Sequence, residues 1–310
     1  MVLLCGIPSE PPVAAVWREL HEAGAGPVTW NQRAFADVEL ELEVAGEEAG
    51  GRLEVAGEVH RLEDFSGLYL RTLPVAELPE LEDRPPDDPA RRRCAGLHRL
   101  LEAWAEVTPA TVMNRPSASA SNGSKPYQAG RIRRHGFSIP PTLVTSDPEE
   151  VRAFADSHGE LIYKSVSGVR SVVSTLEDPG GERLERIRRC PTQFQERVEG
   201  TDVRVHVVRG PAGTDVFATE IRSGAVDYRY AARQGGDAEL VARELDEGIG
   251  RRCRALAEDL GLALAGVDLR MAPDGEVFCF EVNPSPGFTY YQERTGQPIG
   301  RAVARRLAGR

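Results

Sequence analysis

Hydrophobic and polar residues alternate along several short stretches of the chain, most regularly near its C-terminus. From 277 to 283 phenylalanine and valine recur at every second position, which predicts a β-strand that ends at Pro284. Successive side chains of a strand point to opposite faces. One face is expected to carry Phe278, Phe280 and Val282, and the other Cys279, Glu281 and Asn283. A carboxylate and an amide on one face indicate that this face is either solvated or binds a ligand.

Apolar periodicity and turn residues predict the remaining elements. Helices are predicted at 12–23, 88–106, 125–135, 181–189 and 238–260, with another that begins at Asp147-Pro148 and a last one at the C-terminus. Strands are predicted at 2–5, 27–30, 67–71, 161–166, 171–175, 192–198, 202–208, 216–221, 263–271 and 276–283, and small hairpins within 42–65. This order predicts a mixed fold with an α/β domain at 1–113, followed by two α+β units at 114–198 and 199–310.

Composition excludes several classes of protein. The chain has 310 residues, 41% of them hydrophobic and 28% charged, as expected for a globular protein. Its net charge of -10 disfavours nucleic acid as a partner. No apolar run is long enough to cross a membrane, so a cytoplasmic protein is predicted. The five cysteines are scattered and never form a C-x-x-C pair, which disfavours disulfides and zinc sites.

The use of lysine is unusual. Lysine and arginine together number 38, yet Lys125 and Lys164 are the only lysines in the sequence. Lysine differs from arginine as a compact point charge that suits single phosphate oxygens. A position that keeps lysine in an arginine-rich chain is therefore a candidate phosphate ligand.

Acidic residues converge on the last predicted hairpin. The turn 272–275 places Met271 opposite Glu276, and hence Asp268 opposite Cys279 and diagonal to Glu281. The oxygen side chains of Asp268, Glu281 and Asn283 are then expected to cluster on one face with no lysine nearby. Such a cluster suits Mg²⁺. The alternative is an ordinary solvated face of the hairpin.

The two lysines lie in settings that fit a phosphate site without requiring one. Lys164 is followed by a turn rich in small residues that includes Ser167 and Gly168, where backbone N–H groups can approach phosphate oxygens. Lys125 begins a helix after the Ser- and Asn-rich segment 114–124, which reads as a linker. An ordinary hairpin and a surface lysine remain alternatives for both.

A third feature joins two predicted strands through a glycine turn. The stretch 195–204 reads QERVEGTDVR, with an amide and a carboxylate before the turn and an aspartate and an arginine after it. Such a segment is able to bind the edge of an adenine ring and the hydroxyl groups of a ribose.

Taken together, these motifs resemble the ATP-grasp ligases from about Asn114 to Arg310, and the first domain is similar to the small α/β domain that precedes their ATP-grasp lobes. The resemblance implies two α+β lobes that clamp ATP. It implies that Lys125, Lys164, Ser167 and Gly168 bind phosphates, and that Gln195, Glu196, Val198 and Asp202 bind the adenine and ribose. It also implies that Asp268, Glu281 and Asn283 hold two Mg²⁺ ions, for which Mn²⁺ is a substitute.

Three stretches look most like the RimK-like branch, which adds amino acids to peptides: TDVRVH, ATEIRSGAVDYRY and EVNPSPGFTYYQERTGQPI. They also resemble related ligases that cross-link ribosomal peptides through esters or amides. This resemblance implies an amino-acid or peptide substrate activated as an acyl phosphate, with 285–291 facing the acceptor. Arg204 and Arg222 are the catalytic candidates, and Arg229, Arg71 and His206 are weaker ones. A phosphotransferase, a nucleotide-binding protein without catalysis and a homo-oligomer are left open.

Overall fold

A computed structural model describes residues 1–45, 48–166, 173–223 and 238–309 of the protein. The strands are β1 (Val2–Gly6), β2 (Val28–Asn31), β3 (Val38–Ala45), β4 (Glu48–Val55), β5 (Glu58–Arg61), β6 (Gly67–Arg71), β7 (Thr111–Met113), β8 (Thr142–Thr145), β9 (Leu161–Ser165), β10 (Ser174–Thr175), β11 (Thr192–Glu196), β12 (Thr201–Gly210), β13 (Gly213–Arg222), β14 (Glu239–Arg243), β15 (Leu264–Met271) and β16 (Val277–Asn283). The helices are α1 (Pro11–Glu22), α2 (Pro89–Val107), α3 (Pro116–Ser119), α4 (Lys125–Arg134), α5 (Pro148–His158), α6 (Glu247–Asp259), α7 (Thr289–Thr295) and α8 (Ile299–Leu307). No helix within these ranges is long and apolar enough to cross a membrane.

Within the described residues, the strands form four sheets. The N-terminal sheet has the parallel order β2-β1-β6-β7, and the predicted hairpins form the small sheet β3-β4-β5. A central antiparallel sheet has the order β10-β9-β11-β8, and a C-terminal antiparallel sheet has the order β14-β13-β12-β15-β16. Each sheet lies inside one of the predicted domains, whose boundaries stay a prediction.

Helix α8, near the C-terminus, packs against the N-terminal strand β1 and helix α1. Val303 and Leu307 of α8 share a buried core with Val2, Leu4 and residues of α1. The N-terminal sheet is therefore packed against the C-terminal lobe through hydrophobic contacts, which fixes the position of the first domain beside the last hairpin.

The predicted helix at 238–260 is wrong in its first part. Residues 239–243 form the edge strand β14, in which Leu240 is buried and Glu239 is exposed, and which pairs with β13. Helix α6 starts only after Asp246, whose side chain accepts hydrogen bonds from the N–H groups of Gly248 at 2.8 Å and Ile249 at 3.3 Å. The apolar residues in this region fit both the spacing of a helix and that of a strand. Pairing with β13 favours the strand.

Two further predictions are corrected. The helix predicted at 181–189 is a short 3-10 helix at Leu184–Arg189. The segment 114–124 is not a free linker, because it contains α3 and a 3-10 turn, and because the side chain of Asn114 is buried. By contrast, α5 begins as predicted, with the Asp147 side chain accepting a hydrogen bond from the N–H of Glu149 at 3.0 Å.

Replacing Asp246 with alanine is expected to lower the free energy of unfolding by about 0.5–2 kcal/mol, because two N–H groups at the start of α6 lose their acceptor. Chemical denaturation of the variant measures this change. Replacement of the exposed Glu244 by alanine is the control and is expected to have little effect. Equal stability of the two variants would contradict the capping role of Asp246.

Candidate active site

A cavity of about 640 Å³ lies between the central and C-terminal sheets. Strands β9 and β11 contribute Lys164 and Gln195 from one side. The C-terminal sheet contributes, from the other side, Asp202, Arg204, Asp268, Glu281 and Asn283. A neighbouring cleft of about 980 Å³ shares Lys164 and Gln195 and also carries Lys125. The fold thus brings together residues that are more than 150 positions apart in sequence, as the Lys125–Glu281 contact shows.

The register of the last hairpin differs from the predicted one. Met271 lies opposite Val277 rather than Glu276, and a β-bulge between Asp268 and Leu269 places Asp268 directly opposite Glu281. A bulge adds one residue to one strand and changes which side chains face each side. The two carboxylates are therefore cross-strand neighbours, closer than the predicted diagonal arrangement.

The same bulge changes the faces of β16. The buried side chains of this strand are Cys279 and Val282, which belong to the core together with Val267 and Leu269. Phe278 and Phe280 are partly exposed and line the two cavities, so their predicted place on the core face is wrong, as is the predicted place of Cys279 beside Glu281. An aromatic ring thereby joins the side of the sheet that faces the cavity.

Glu281 is held by a lysine, contrary to the prediction that the acidic cluster has no lysine nearby. The Nζ atom of Lys125 lies 2.8 Å from the Oε1 atom of Glu281. Burial raises the pKa of the Glu281 carboxyl, but the positive charges of Lys125, Lys164 and Arg204 outweigh it, so that the pKa is below its ordinary value. Glu281 is therefore a carboxylate at neutral pH.

This ion pair predicts a pH-dependent contribution to stability. In the nucleotide-free protein, Lys125→Met is expected to cost about 1–3 kcal/mol of unfolding free energy at neutral pH. Because the folded-state pKa of Glu281 is lowered, the contribution is fully present above the unfolded-state pKa and disappears as the pH falls through the folded-state pKa. Urea denaturation of both proteins across acidic pH, with a chelator present, measures the difference. A difference that does not shrink toward acidic pH would contradict this origin.

Asp268 is held by an arginine. The Nη1 atom of Arg204 donates a hydrogen bond to the Oδ1 atom of Asp268 at 2.5 Å, and the Arg204 side chain is only 7% exposed. The guanidinium group also lies over the ring of Tyr291, 5.8 Å from its centroid. The position of the Arg204 guanidinium in the cavity is thus fixed by its hydrogen bond to Asp268 and by its contact with the ring of Tyr291.

The predicted adenine and ribose ligands lie around the glycine turn between β11 and β12. Gln195 donates a hydrogen bond from Nε2 to the hydroxyl of Thr142 at 2.9 Å, and the N–H of Glu196 donates to the Pro141 carbonyl. Asp202 accepts two hydrogen bonds from Arg270, at 2.7 and 2.8 Å. Arg270 also donates to the Val198 carbonyl at 2.7 Å. Their roles toward a nucleotide stay predictions.

Arg270 is a site residue that the sequence interpretation missed. It lines the same cavity, lies over the ring of Phe280 at 5.2 Å and links Asp202 to the glycine turn. Its position two residues after Asp268 on a predicted strand was an available signal, because residues two apart on a regular strand share a face. The many arginines of the chain concealed that signal.

The structure does not bring Arg222 into the cavity. Cross-strand partners share a face, and Thr219, not Arg222, belongs to the face of Arg204. Arg222 lies on the opposite face, exposed and paired with Glu220 at 2.9 Å and Glu239 at 3.4 Å. It is absent from the described residues that line the cavity.

The weaker candidates have mixed positions. His206 is fully buried beside Tyr291, with 5.0 Å between ring centroids, and burial followed by the charge of Arg204 puts its pKa well below the ordinary value. Arg71 reaches the last hairpin, where it donates to the Ser285 hydroxyl at 3.0 Å and to the Pro286 carbonyl at 3.2 Å. Ser167, Gly168 and Arg229 lie outside the described residues.

The oxygen donors at the end of the hairpin fit a divalent cation. Within the described ranges no group of three histidine, cysteine or acidic residues could hold a metal. However, Mg²⁺ is usually bound by one or two carboxylates together with substrate phosphates. Two cross-strand carboxylates with one amide nearby, beside lysines suited to phosphates, match that requirement.

Comparison with known proteins agrees with this geometry. A profile of the RimK-like ATP-grasp domain matches residues 132–307. Glutathione synthetase of Parasynechococcus marenigrum (strain WH8102) is 32% identical over 184 residues, which are 55% of this chain and 56% of that protein. The chain spans about half the length of the curated relatives it matches first, including 52% of glutathione synthetase from Neisseria meningitidis strain Z2491.

Solved structures match over nearly the full length. The ATP-grasp ligase PsnB, in complex with a minimal precursor, Mg and ADP, is 27% identical with a TM-score of 0.80, covering 99% of this chain and 96% of that chain. The macrocyclase MdnC of Microcystis aeruginosa MRC, bound with the precursor peptide MdnA, has the same fold at 20% identity, with a TM-score of 0.80 and coverage of 100% and 99%. The predicted fold and family are confirmed. With a domain profile that covers more than half of its residues and a fold that agrees from end to end, the chain belongs to the RimK-like ATP-grasp family.

Proposed function

We propose that the protein is an ATP-dependent ligase that activates a carboxylate as an acyl phosphate and joins it to an amine or a hydroxyl group. The observation that carries this proposal is the single cavity in which Lys164, Arg204, Asp268 and Glu281 meet. Cations suited to a triphosphate and carboxylates suited to Mg²⁺ face each other there. Such an arrangement favours phosphoryl transfer.

Nucleotide binding follows from the same cavity. Lys164, and Lys125 at the start of α4, would neutralise phosphate oxygens, while Gln195 and the backbone of Glu196 and Val198 would meet the adenine edge. The Asp202 carboxylate would accept hydrogen bonds from the ribose hydroxyls. Arg270, which holds Asp202 with two hydrogen bonds, would keep that carboxylate ionised and oriented.

Asp268, Glu281 and Asn283 would hold Mg²⁺, with two ions or Mn²⁺ as finer expectations. When bound, the metal offsets the negative charge of the phosphates and of the carboxylates around it. In the nucleotide-free protein Lys125 and Arg204 offset the charge of Glu281 and Asp268 instead.

The reaction has two steps. In the first, an oxygen of the substrate carboxylate attacks the γ-phosphorus of ATP, the bond to the β–γ bridging oxygen breaks, and ADP leaves. In the second, the acceptor nitrogen or oxygen attacks the acyl carbon, phosphate leaves, and the acceptor loses a proton. Negative charge would develop on the acyl oxygen, and Arg204, which lines the cavity, would stabilise it. His206 is not placed to take the proton, because it is fully buried outside the cavity lining.

A peptide is the favoured substrate class. PsnB, which was solved with a minimal precursor, has the fold of this chain at 27% identity, with a TM-score of 0.80 over almost the whole of both chains. The segment 285–291, which begins after Pro284 and runs into α7, contributes Gly287 and Tyr291 to the cavity. A peptide carboxylate and a peptide hydroxyl or amine would meet at this end, giving an ester or amide cross-link.

Separate measurement of ADP and inorganic phosphate tests the proposal. The purified protein is incubated with Mg²⁺–ATP and either synthetic peptides that contain acidic, hydroxyl and lysine side chains or mixtures of free amino acids. Ligation releases ADP and phosphate in equal amounts and yields a product that has lost one water. ADP without free phosphate and a stable phosphorylated product would instead show a phosphotransferase, and release of neither with any acceptor would contradict catalysis.

A further inference from the structure

The end of β16 is held by polar side chains that belong to other parts of the chain. Gln128 of α4 contacts Val282, Asn114 after β7 contacts Pro284, and Arg71 of β6 contacts Pro286. β16 is an outer strand of its sheet. On its outer edge the backbone of Ser138 pairs with Val277 and Cys279, and beyond Cys279 no other strand among the described residues pairs with that edge. These side chains take the place of a neighbour along the segment that carries Glu281 and Asn283.

Gln128 makes the most complete of these contacts. It is 1% exposed. Its Nε2 atom donates to the Val282 carbonyl at 2.7 Å, and its Oε1 atom accepts a hydrogen bond from the Val282 N–H at 3.2 Å. Both backbone polar groups of the residue between the two predicted metal ligands are therefore satisfied by one side-chain amide.

Asn114 anchors the segment that follows. Its Nδ2 atom donates to the Leu264 carbonyl at 2.6 Å and to the Pro284 carbonyl, and its Oδ1 atom accepts from the N–H groups of Ala263 at 2.7 Å and Leu264 at 3.0 Å. One buried amide thus ties the start of β15 to the residue after the end of β16. The start of β15 and the end of β16, which lie beside the carboxylates proposed to bind the metal, cannot move apart without breaking these hydrogen bonds.

We propose that Gln128 is a positioning residue for the metal site, with Asn114 as its support. The inference rests on the proposed function, because it assumes that Glu281 and Asn283 bind the metal. Fixing both polar groups of Val282 fixes the backbone of the two ligands that flank it. Gln128 also lies one helical turn after Lys125, so that α4 sets the position of the phosphate-binding lysine and of the metal ligands together.

The chain offers a matched control for this role. Gln32 is fully buried and makes the same pair of bonds to one backbone residue, with Nε2 donating to the Leu73 carbonyl at 2.6 Å and Oε1 accepting from the Leu73 N–H at 2.8 Å. Leu73 follows β6 and lies outside the β16 segment. Gln32→Met and Gln128→Met therefore remove the same chemistry, but only Gln128→Met removes it beside the site.

The test is the binding of Mn²⁺ to the full-length protein in the presence of ADP, followed by electron paramagnetic resonance, with Tm measured in parallel. Gln128→Met is expected to weaken Mn²⁺ binding about 10- to 100-fold, as is usual when a partner that orients a ligand is lost, while Gln32→Met stays within about twofold of the wild type. Both variants are expected to lower Tm to a similar extent.

Two results would contradict a positioning role of Gln128. Mn²⁺ binding by Gln128→Met at the wild-type level, or an equal loss in Gln32→Met, would overturn the positioning role. If Gln128→Met does not fold, Gln128→Asn replaces it, since it keeps a neutral amide but is one methylene too short to meet both polar groups of Val282. A smaller but measurable weakening is then expected, and wild-type affinity would overturn the role. Failure of the wild type itself to bind Mn²⁺ with ADP would contradict the proposed function instead.

Discussion

Replacement of Glu281 by glutamine is expected to reduce ATP turnover by about 100-fold or more while the protein stays folded. Glutamine keeps the size and shape of the side chain but removes its negative charge. That charge is present in the native protein at neutral pH, because Lys125, Lys164 and Arg204 hold the pKa of Glu281 below its ordinary value in spite of burial. The variant loses the carboxylate that is proposed to bind the metal and leaves Lys125 without its 2.8 Å partner.

The measurement is the rate of ADP release with the acceptor peptide that the wild-type protein uses, with circular dichroism and Tm as checks on folding. Glu276→Gln is the matched control, because Glu276 belongs to the same hairpin but accepts its hydrogen bond from the Ser138 hydroxyl, away from Asp268. It is expected to retain near-normal turnover. Full turnover in Glu281→Gln would rule out the proposed metal site.

The sequence predicts local features of this site better than its register. The strand at 277–283 is correct because alternation and Pro284 are local signals. The bulge opposite Asp268 arises from cross-strand hydrogen bonding, which a single strand does not encode. Three consequences therefore escape prediction: the direct Asp268–Glu281 pair, the face of β16 on which Cys279 lies and the exposure of Phe280.

Long-range contacts mark a second limit. The two lysines are conspicuous in the sequence, but the ion pair of Lys125 with Glu281 depends on how α4 packs against β16. Likewise, the segment around Asn114 has the composition of a linker, and its buried hydrogen bonds are formed by backbone from distant strands. Composition indicates the local structure that such a segment prefers in isolation. Contacts with distant parts of the chain override that preference.

The two arginines predicted to be catalytic can now be separated by experiment. They lie on neighbouring strands but on opposite faces of the C-terminal sheet, with Arg204 buried against Asp268 and Arg222 exposed beside Glu220 and Glu239. Arg204→Lys is expected to lower kcat/KM for ADP release by about 100-fold, and Arg222→Lys by less than about threefold.

The physical reason lies in the shape of the guanidinium group. Arg204 presents several N–H donors in a planar fork, one of which holds Asp268 at 2.5 Å, and the proposed role needs a second donor for the acyl oxygen. Lysine keeps the charge, but its compact ammonium group cannot serve both positions at once. Steady-state kinetics at saturating Mg²⁺, with Tm of each variant, measures the effect. Equal losses in both variants would mean that lying on the cavity face of the sheet does not give Arg204 a catalytic role that Arg222 lacks. Normal activity of Arg204→Lys would mean that another group stabilises the negative charge on the acyl oxygen.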